Sequence, residues 1–256
     1  MNGIVEAVLF VGGFVLYAIV GTLVVRKAIH GHIAEGHNDV LVPLFLTTGV
    51  IYAVLLGFMI VGEWEAYDAA HANTAEEAAL LVPLYRQTTV MAEEKGAELR
   101  HTIREYAEDV IKGWEGFTAG RRNKQAGKDV NEVFRVFSTL TPATKPRELI
   151  AAQFLQTFSQ VILDRNKRYA QASESLSWIM WFAAIAGGLV TVAMSFILFM
   201  ERLWPQVLAV SVMAAVIGAL LLTLSLLSRP FVGPLAIEPA PFEQALSVFD
   251  DVDHGN

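Results

Sequence analysis

Apolar positions along the chain collect into four long runs separated by polar stretches of very unequal length. The first extends from Ile4 to Val25 with a single charge, Glu6; the second runs from Val40 to Gly62, the third from Trp178 to Met200 and the fourth from Val207 to Leu227. About 20 consecutive apolar residues are enough for a helix to cross a hydrocarbon core, so each run predicts a transmembrane helix. Tryptophans mark the ends: Trp64 closes the second run, Trp178 and Trp181 open the third, and Trp204 precedes the fourth. Amphipathic rings favour the membrane–water boundary, which supports those limits. Small residues recur at four-residue spacing, as Gly49, Ala53 and Gly57, as Ala183, Gly187, Thr191 and Ser195, and as Ala214 and Gly218. Such stripes let helix backbones approach closely, within one subunit or between subunits.

The second run does not stop at a turn. After Trp64 the chain continues as "EAYDAAHANTAEEAALLVPLYR", rich in alanine and glutamate, with Ala75, Ala78, Ala79 and Val82 on one stripe. Alanine has the highest helix propensity, so the membrane helix is expected to continue outward as a stalk. The third run is expected to be reached in the same way. Thr144 and Pro146 suit a helix start, no proline follows before Met200, and Leu149, Phe154, Leu155, Phe158 and Val161 share an apolar face. Between these stalks a helix is predicted with Leu99, Ile103, Tyr106 and Val110 inward. A glycine-spaced loop and a helix capped by Asp129 with Glu132 three residues on follow, its Val130, Val133, Phe134 and Phe137 inward. The predicted fold is an all-α membrane protein with four transmembrane helices, the second and third continuing as long antiparallel stalk helices into a helical cytoplasmic domain. The corresponding segments are 1–62, a first transmembrane hairpin; 63–177, the stalk domain; 178–228, a second hairpin; and 229–256, an acidic tail in which Phe242, Ala245, Leu246 and Phe249 form an amphipathic piece.

Composition sharpens this picture at three points. The 54% apolar and 18% charged shares fit a chain divided between membrane and water. The absence of cysteine removes disulfides and thiolate chemistry. A net charge of −7 argues against a nucleic-acid partner. Arg165, Lys167, Arg168 and Arg229 near the helix ends, against Arg26, Lys27 and Arg202 on the other side, favour termini and middle domain in the cytoplasm.

Three stretches bear a resemblance to a known family: "VLLGFMIVGEWEAYDAAHANTAEEAALLVPLYR", "LDRNKRYAQASESLSWIMW" and the exit "RPFVGPLAIEP". From Leu41 to about Pro241 the chain resembles the bacterial membrane proteins that carry a bestrophin-like domain. The resemblance implies a homo-oligomeric ion channel of the bacterial inner membrane, its partners being other copies of itself, the lipid bilayer and inorganic ions. It implies an acidic residue before the Arg-Pro-Phe, where this chain has Ser228. No calcium clasp or other cofactor is carried over.

Candidate chemistry follows from position. Glu63, Glu65 and Asp68 sit where the second helix leaves the bilayer and would form rings of negative charge at the mouth of an axial pore, or an ordinary polar helix boundary. Thr47, Thr48 and Tyr52 are candidates to line a wet path, or to bond back to helix carbonyls. Phe58 and Met59 are candidates for a hydrophobic gate. Glu76 and Glu77 stand about as far from Trp64 as Arg165 and Arg168 do from Trp178, so these levels are expected to meet as ion pairs. Glu6, near a helix end, is expected to reach the interface. His30, His32 and His37, with Glu35 and Asp39, are weak candidates for a transition metal. No nucleotide-binding, nucleophile-elbow or zinc-protease pattern occurs, so no enzyme is expected. A non-conducting membrane scaffold or sensor, whose helical domain binds a partner, is the competing reading.

Overall fold

A computed structural model describes residues 3–29, 37–91, 93–118, 123–140, 144–198 and 200–255. Among these the regular elements are all helical: α1 (Gly3–Ala7), a π-helical turn (Val8–Gly12), α2 (Gly13–Ile29), α3 (His37–Thr88), α4 (Glu93–Lys112), α5 (Trp114–Thr118), α6 (Lys124–Ser138), α7 (Lys145–Ser173), α8 (Trp178–Phe196), α9 (Leu203–Leu227) and α10 (Ala240–His254). Four stretches among the described residues are long and apolar enough to cross a membrane: Gly3–Ala28, α3, α8 and α9. The chain divides into two compact units.

The first unit holds Met1–Tyr67, Ser175–Arg229 and Gly233–Leu235. Its core interleaves Phe14 and Ala18 of α2 with Tyr52, Leu56 and Met59 of α3, Ala184 and Val192 of α8, and Ala214, Ile217 and Leu221 of α9. Glycines make this packing possible where they meet a neighbour. A Cβ on Gly187 would lie 2.6 Å from the Tyr52 ring, and one on Gly218 would lie 2.7 Å from the Phe10 carbonyl oxygen and 2.8 Å from Val11 Cα. The π-helical turn therefore passes α9 backbone to backbone. We expect Gly218→Val to lower the stability of this unit by about 1–3 kcal/mol, because backbone cannot yield as a side chain does. Gly49→Val, whose Cβ meets nothing within 4 Å, serves as the control in detergent melting curves, and equal losses in the two would refute the packing argument. At the other end of the unit, Arg26 donates to the carbonyls of Met200 and Glu201 and to Gln206 Oε1 at 2.8–3.0 Å. Gln206 in turn donates to the Leu198 carbonyl at 2.7 Å, so the turn between α8 and α9 is held by side chains.

The second unit comprises Asp68–Glu174, Pro230–Val232 and Ala236–Asn256. The outer half of α3 buries Ala70, Thr74, Glu77, Ala78, Leu81, Leu84 and Tyr85, a stripe at three- and four-residue spacing. Also buried in this unit are Leu99, Ile103 and Tyr106 of α4, Phe154, Phe158 and Val161 of α7, and Phe242, Ala245 and Phe249 of α10. Outer α3 meets α4 and α7 through Glu77, bonded to Tyr106 and Arg168, and through Asn73, which donates to the Asp164 carbonyl. The acidic C-terminal segment is thus part of this unit's core. Tyr85 stacks on Phe249 with centroids 4.1 Å apart, and Arg104 holds Asp250 and Asp253 at 2.7 and 3.0 Å.

Three expectations are corrected here. The third membrane run is not one helix with the segment before it: α7 ends at Ser173 and α8 begins at Trp178, with Glu174 and Ser177 in extended conformation. The serines explain the break. Ser173 donates to the Ala170 carbonyl, and Ser177 caps α8 by accepting from the Met180 amide. Such local bonds compete with a continuing helix. Secondly, α6 is capped by Asn123, whose side chain accepts from the amides of Gln125 and Ala126 at 3.0 and 3.1 Å, and Asp129 lies inside the helix. The buried side of α6 carries Ala126, Asp129, Val130, Val133 and Val136, so Phe134 is exposed instead of inward. Thirdly, Leu149 and Leu155 of α7 are exposed, and Thr157 takes a buried place beside Phe158.

Candidate functional site

Two arrangements hold the residues that composition and spacing single out. The first is the inner half of α3, in the first unit. At 100° per residue, Tyr52, Leu56 and Met59 share one side of the helix, and all three are buried. Tyr52 is only 7% exposed and its hydroxyl donates to the Ala184 carbonyl at 3.0 Å. Thr48 leans toward that side and is half-buried. The opposite side carries Thr47, Val54, Phe58, Val61 and Glu65, all exposed, and Asp68, where the same helix enters the second unit, is exposed as well. Phe58 is 75% exposed. Thr47 donates to the Pro43 carbonyl at 2.9 Å, which satisfies its hydroxyl within the helix.

This placement separates the candidates. Tyr52 and Met59 are buried in the core of the first unit, and Phe58 alone of the gate pair lies on the open side. Glu63 falls at the angular position of Tyr52, is half-buried and has an interaction partner; Glu65 and Asp68 belong to the open side. Gly49 and Gly57 also meet no neighbour within 4 Å among the described residues, whereas Gly187 of α8 and Gly218 of α9 each meet one.

The second arrangement is a charged cluster in the core of the second unit. Arg168 of α7, 2% exposed, donates from Nε and Nη2 to the two carboxylate oxygens of Glu77, at 2.7 and 3.0 Å. Tyr106 of α4 donates its hydroxyl to Glu77 Oε1 at 2.5 Å. Four rings surround the guanidinium, those of Trp114, Phe117, Tyr169 and Phe242, at 4.9–5.7 Å. Burial opposes the Arg168 charge, but the fully buried Glu77 outweighs it and holds the guanidinium above its ordinary pKa. Burial first, then the Glu77 charge, raises the Tyr106 hydroxyl well above the usual tyrosine range. The planar fork matches a carboxylate in two parallel bonds, and the rings accept its faces. Glu76 is exposed and Arg165 lies over the Tyr169 ring at 5.1 Å, so this second level does not meet as a pair.

A buried pair that no local pattern signals joins the ends of the first unit. Glu6, 2% exposed, accepts from Arg229 Nη2 at 2.9 Å, and the same nitrogen donates to Ser225 Oγ at 2.8 Å. Glu6 is therefore enclosed rather than at a solvated interface. Of the weak metal candidates, His30, His32 and Glu35 lie outside the described residues, and the His37 ring stands 3.2 Å from the Ile197 carbonyl. Among the described residues no group of three or more His, Asp or Glu is placed to hold a metal ion.

Residues 12–242 match the family model of the Bestrophin-like domain. No curated protein matches the chain significantly. Among solved structures, it is similar to a crystal structure of a bacterial bestrophin homologue from Klebsiella pneumoniae carrying a point mutation. The TM-score is 0.76 at 11% sequence identity, over 96% of this chain and 100% of the other. At that identity the likeness is one of fold.

Proposed function

The chain belongs to the Bestrophin-like domain family, and from that premise we propose that it is an ion channel formed by several copies around a common axis. The open side of inner α3 carries this reading. A membrane-length helix that buries one side in its own chain, and leaves small residues, a phenylalanine and two carboxylates along the rest, is suited to face a pore and neighbouring copies. In the proposed assembly Thr47 lines the path, Phe58 forms the hydrophobic constriction, and Glu65 and Asp68 set a negative mouth that favours cations. The second unit lies in the cytoplasm and the four spans cross a bacterial inner membrane, with inorganic ions as the cargo and no chemical conversion.

Purified protein in liposomes is expected to conduct. Glu65→Gln lowers the cation-to-anion permeability ratio, whereas Glu63→Gln, on the buried side of the helix, leaves it near the parental value. Phe58→Ala raises the flux by widening the constriction. Robust conductance with a ratio unmoved by Glu65→Gln would remove the charged mouth. A preparation without flux that carries a stoichiometric protein partner would favour the scaffold instead.

A further inference from the structure

Helices α4 and α6 lie antiparallel in the second unit. Two contacts set their register: Asn123 Nδ2 donates to the Asp109 carbonyl at 2.5 Å, and Arg135 Nη2 reaches Glu98 Oε1 at 3.4 Å. The residue numbers of each pair add to nearly the same value, so Asp129 falls between these contacts, opposite the Glu105 turn. Side chains tilt toward the N-terminus of their own helix. In an antiparallel pair Asp109 and Asp129 therefore tilt toward one another.

Asp129 is 5% exposed. Its Oδ1 accepts from Gln125 Nε2 at 3.3 Å, and its Oδ2 is buried with no hydrogen-bond partner among the described residues. An enclosed carboxylate oxygen with no donor is strongly disfavoured. The neighbouring charges do not supply one. From α4, Glu105 and Asp109 add negative charge, and Lys112 stands 3.8 Å from Asp109 Oδ1 while bonded to Glu108 at 2.8 Å. From α6 itself Lys128 is one position away, and from α7 the Arg165 guanidinium lies near Gly127. A proton on one carboxyl would provide the missing donor and join the pair by an O–H···O bond.

We propose that Asp109 and Asp129 form a proton-binding site that holds α6 against α4, so that this helix loosens when the proton leaves. The Asp129 carboxyl is pushed up to about 6, by burial first and then by the negative charge of the neighbouring Asp109. The sign follows. In the folded protein Asp129 keeps its proton to about pH 6, but in an opened α6 only to the ordinary aspartate range near 3.9. Opening of α6 is therefore least favoured below about pH 4, and grows as the pH rises to about 6 before levelling off. The gain is on the order of tenfold per pH unit, about 100-fold in all. This inference goes beyond ion conduction and does not depend on it.

The test is hydrogen exchange of α6 peptides in the full-length protein in lipid nanodiscs, from pH 4 to 7.5, corrected for intrinsic exchange. Protection is expected to fall by about 100-fold across the window and then plateau. Asp129→Asn is expected to keep α6 protected throughout, and Asp109→Asn to abolish the pH dependence. A flat wild-type profile overturns the proposal, as does an unchanged slope in Asp129→Asn. Protection restored at pH 7.5 by calcium or magnesium alone would also overturn it, by making the pair a cation site. Should Asp129→Asn fail to fold, the wild-type profile and Asp109→Asn decide.

Discussion

Arg168→Met is expected to be the most damaging conservative-sized substitution in the second unit, with a loss of about 3–5 kcal/mol. The reason is what stays behind. Glu77 is fully buried and receives three hydrogen bonds, two from Arg168 and one from Tyr106. Without the guanidinium, one phenol would face an uncompensated, fully buried carboxylate. Methionine fills part of the volume but donates nothing. Glu77→Gln/Arg168→Met should be markedly more stable than Arg168→Met alone, because neutralising the stranded charge removes most of the penalty. Two units need not unfold together, so protection of α4 and α7 amides is the appropriate readout. A single-variant loss below about 1 kcal/mol would place the pair among the weak surface bridges and sink the argument.

The positions of that cluster are partly legible in the sequence. The levels of Glu77 and Arg168 follow from counting residues outward from two tryptophans, because rise per residue is the same on every helix. Burial does not follow from counting. Glu76 and Glu77 are equivalent in composition, yet one points to solvent and the other is buried against Arg168, whose guanidinium sits among rings from α5, α7 and α10. The inner half of α3 behaves likewise. Its length and apolar character were legible, but its orientation about its own axis is set by large side chains docking on glycines of α8, as Tyr52 does on Gly187. Only that orientation separates Phe58 from Met59 and Glu65 from Glu63.

Where local signals were misread, the competing signal was also local. Absence of proline from Arg147 to Met200 suggested one helix, but "SESLS" offers hydroxyls that cap and interrupt, and two of them do so. The Asp129-x-x-Glu132 spacing resembles a capping box, but Asn123 six positions earlier starts the helix, accepting from the amides of Gln125 and Ala126. The misplaced cap concealed a buried acid. Once Asp129 is inside the helix, its carboxyl needs a partner, and the proton shared with Asp109 is the inference that need supports.

Arg229→Met is expected to lower the stability of the first unit by about 3 kcal/mol, toward the lower end for a broken buried pair because the arginine side chain is 37% exposed. Glu6 lies 223 positions away, near the start of the first span, and no periodicity connects the two. Glu6 is 2% exposed, so removal of Arg229 strands a carboxylate on a membrane-length helix, where an unpaired charge is especially unfavourable. Glu6→Gln should be milder, since an amide oxygen still accepts from Arg229, whose guanidinium also has the Ser225 hydroxyl and carbonyl. The double variant Glu6→Gln/Arg229→Met should recover most of the difference. Detergent melting curves of the three variants give the coupling directly. Additive losses would mean that the two ends of the unit are held by apolar packing, with Gly218 against the π-helical turn as the principal contact; recovery in the double variant would make the ion pair the clasp that closes the first helix onto the fourth.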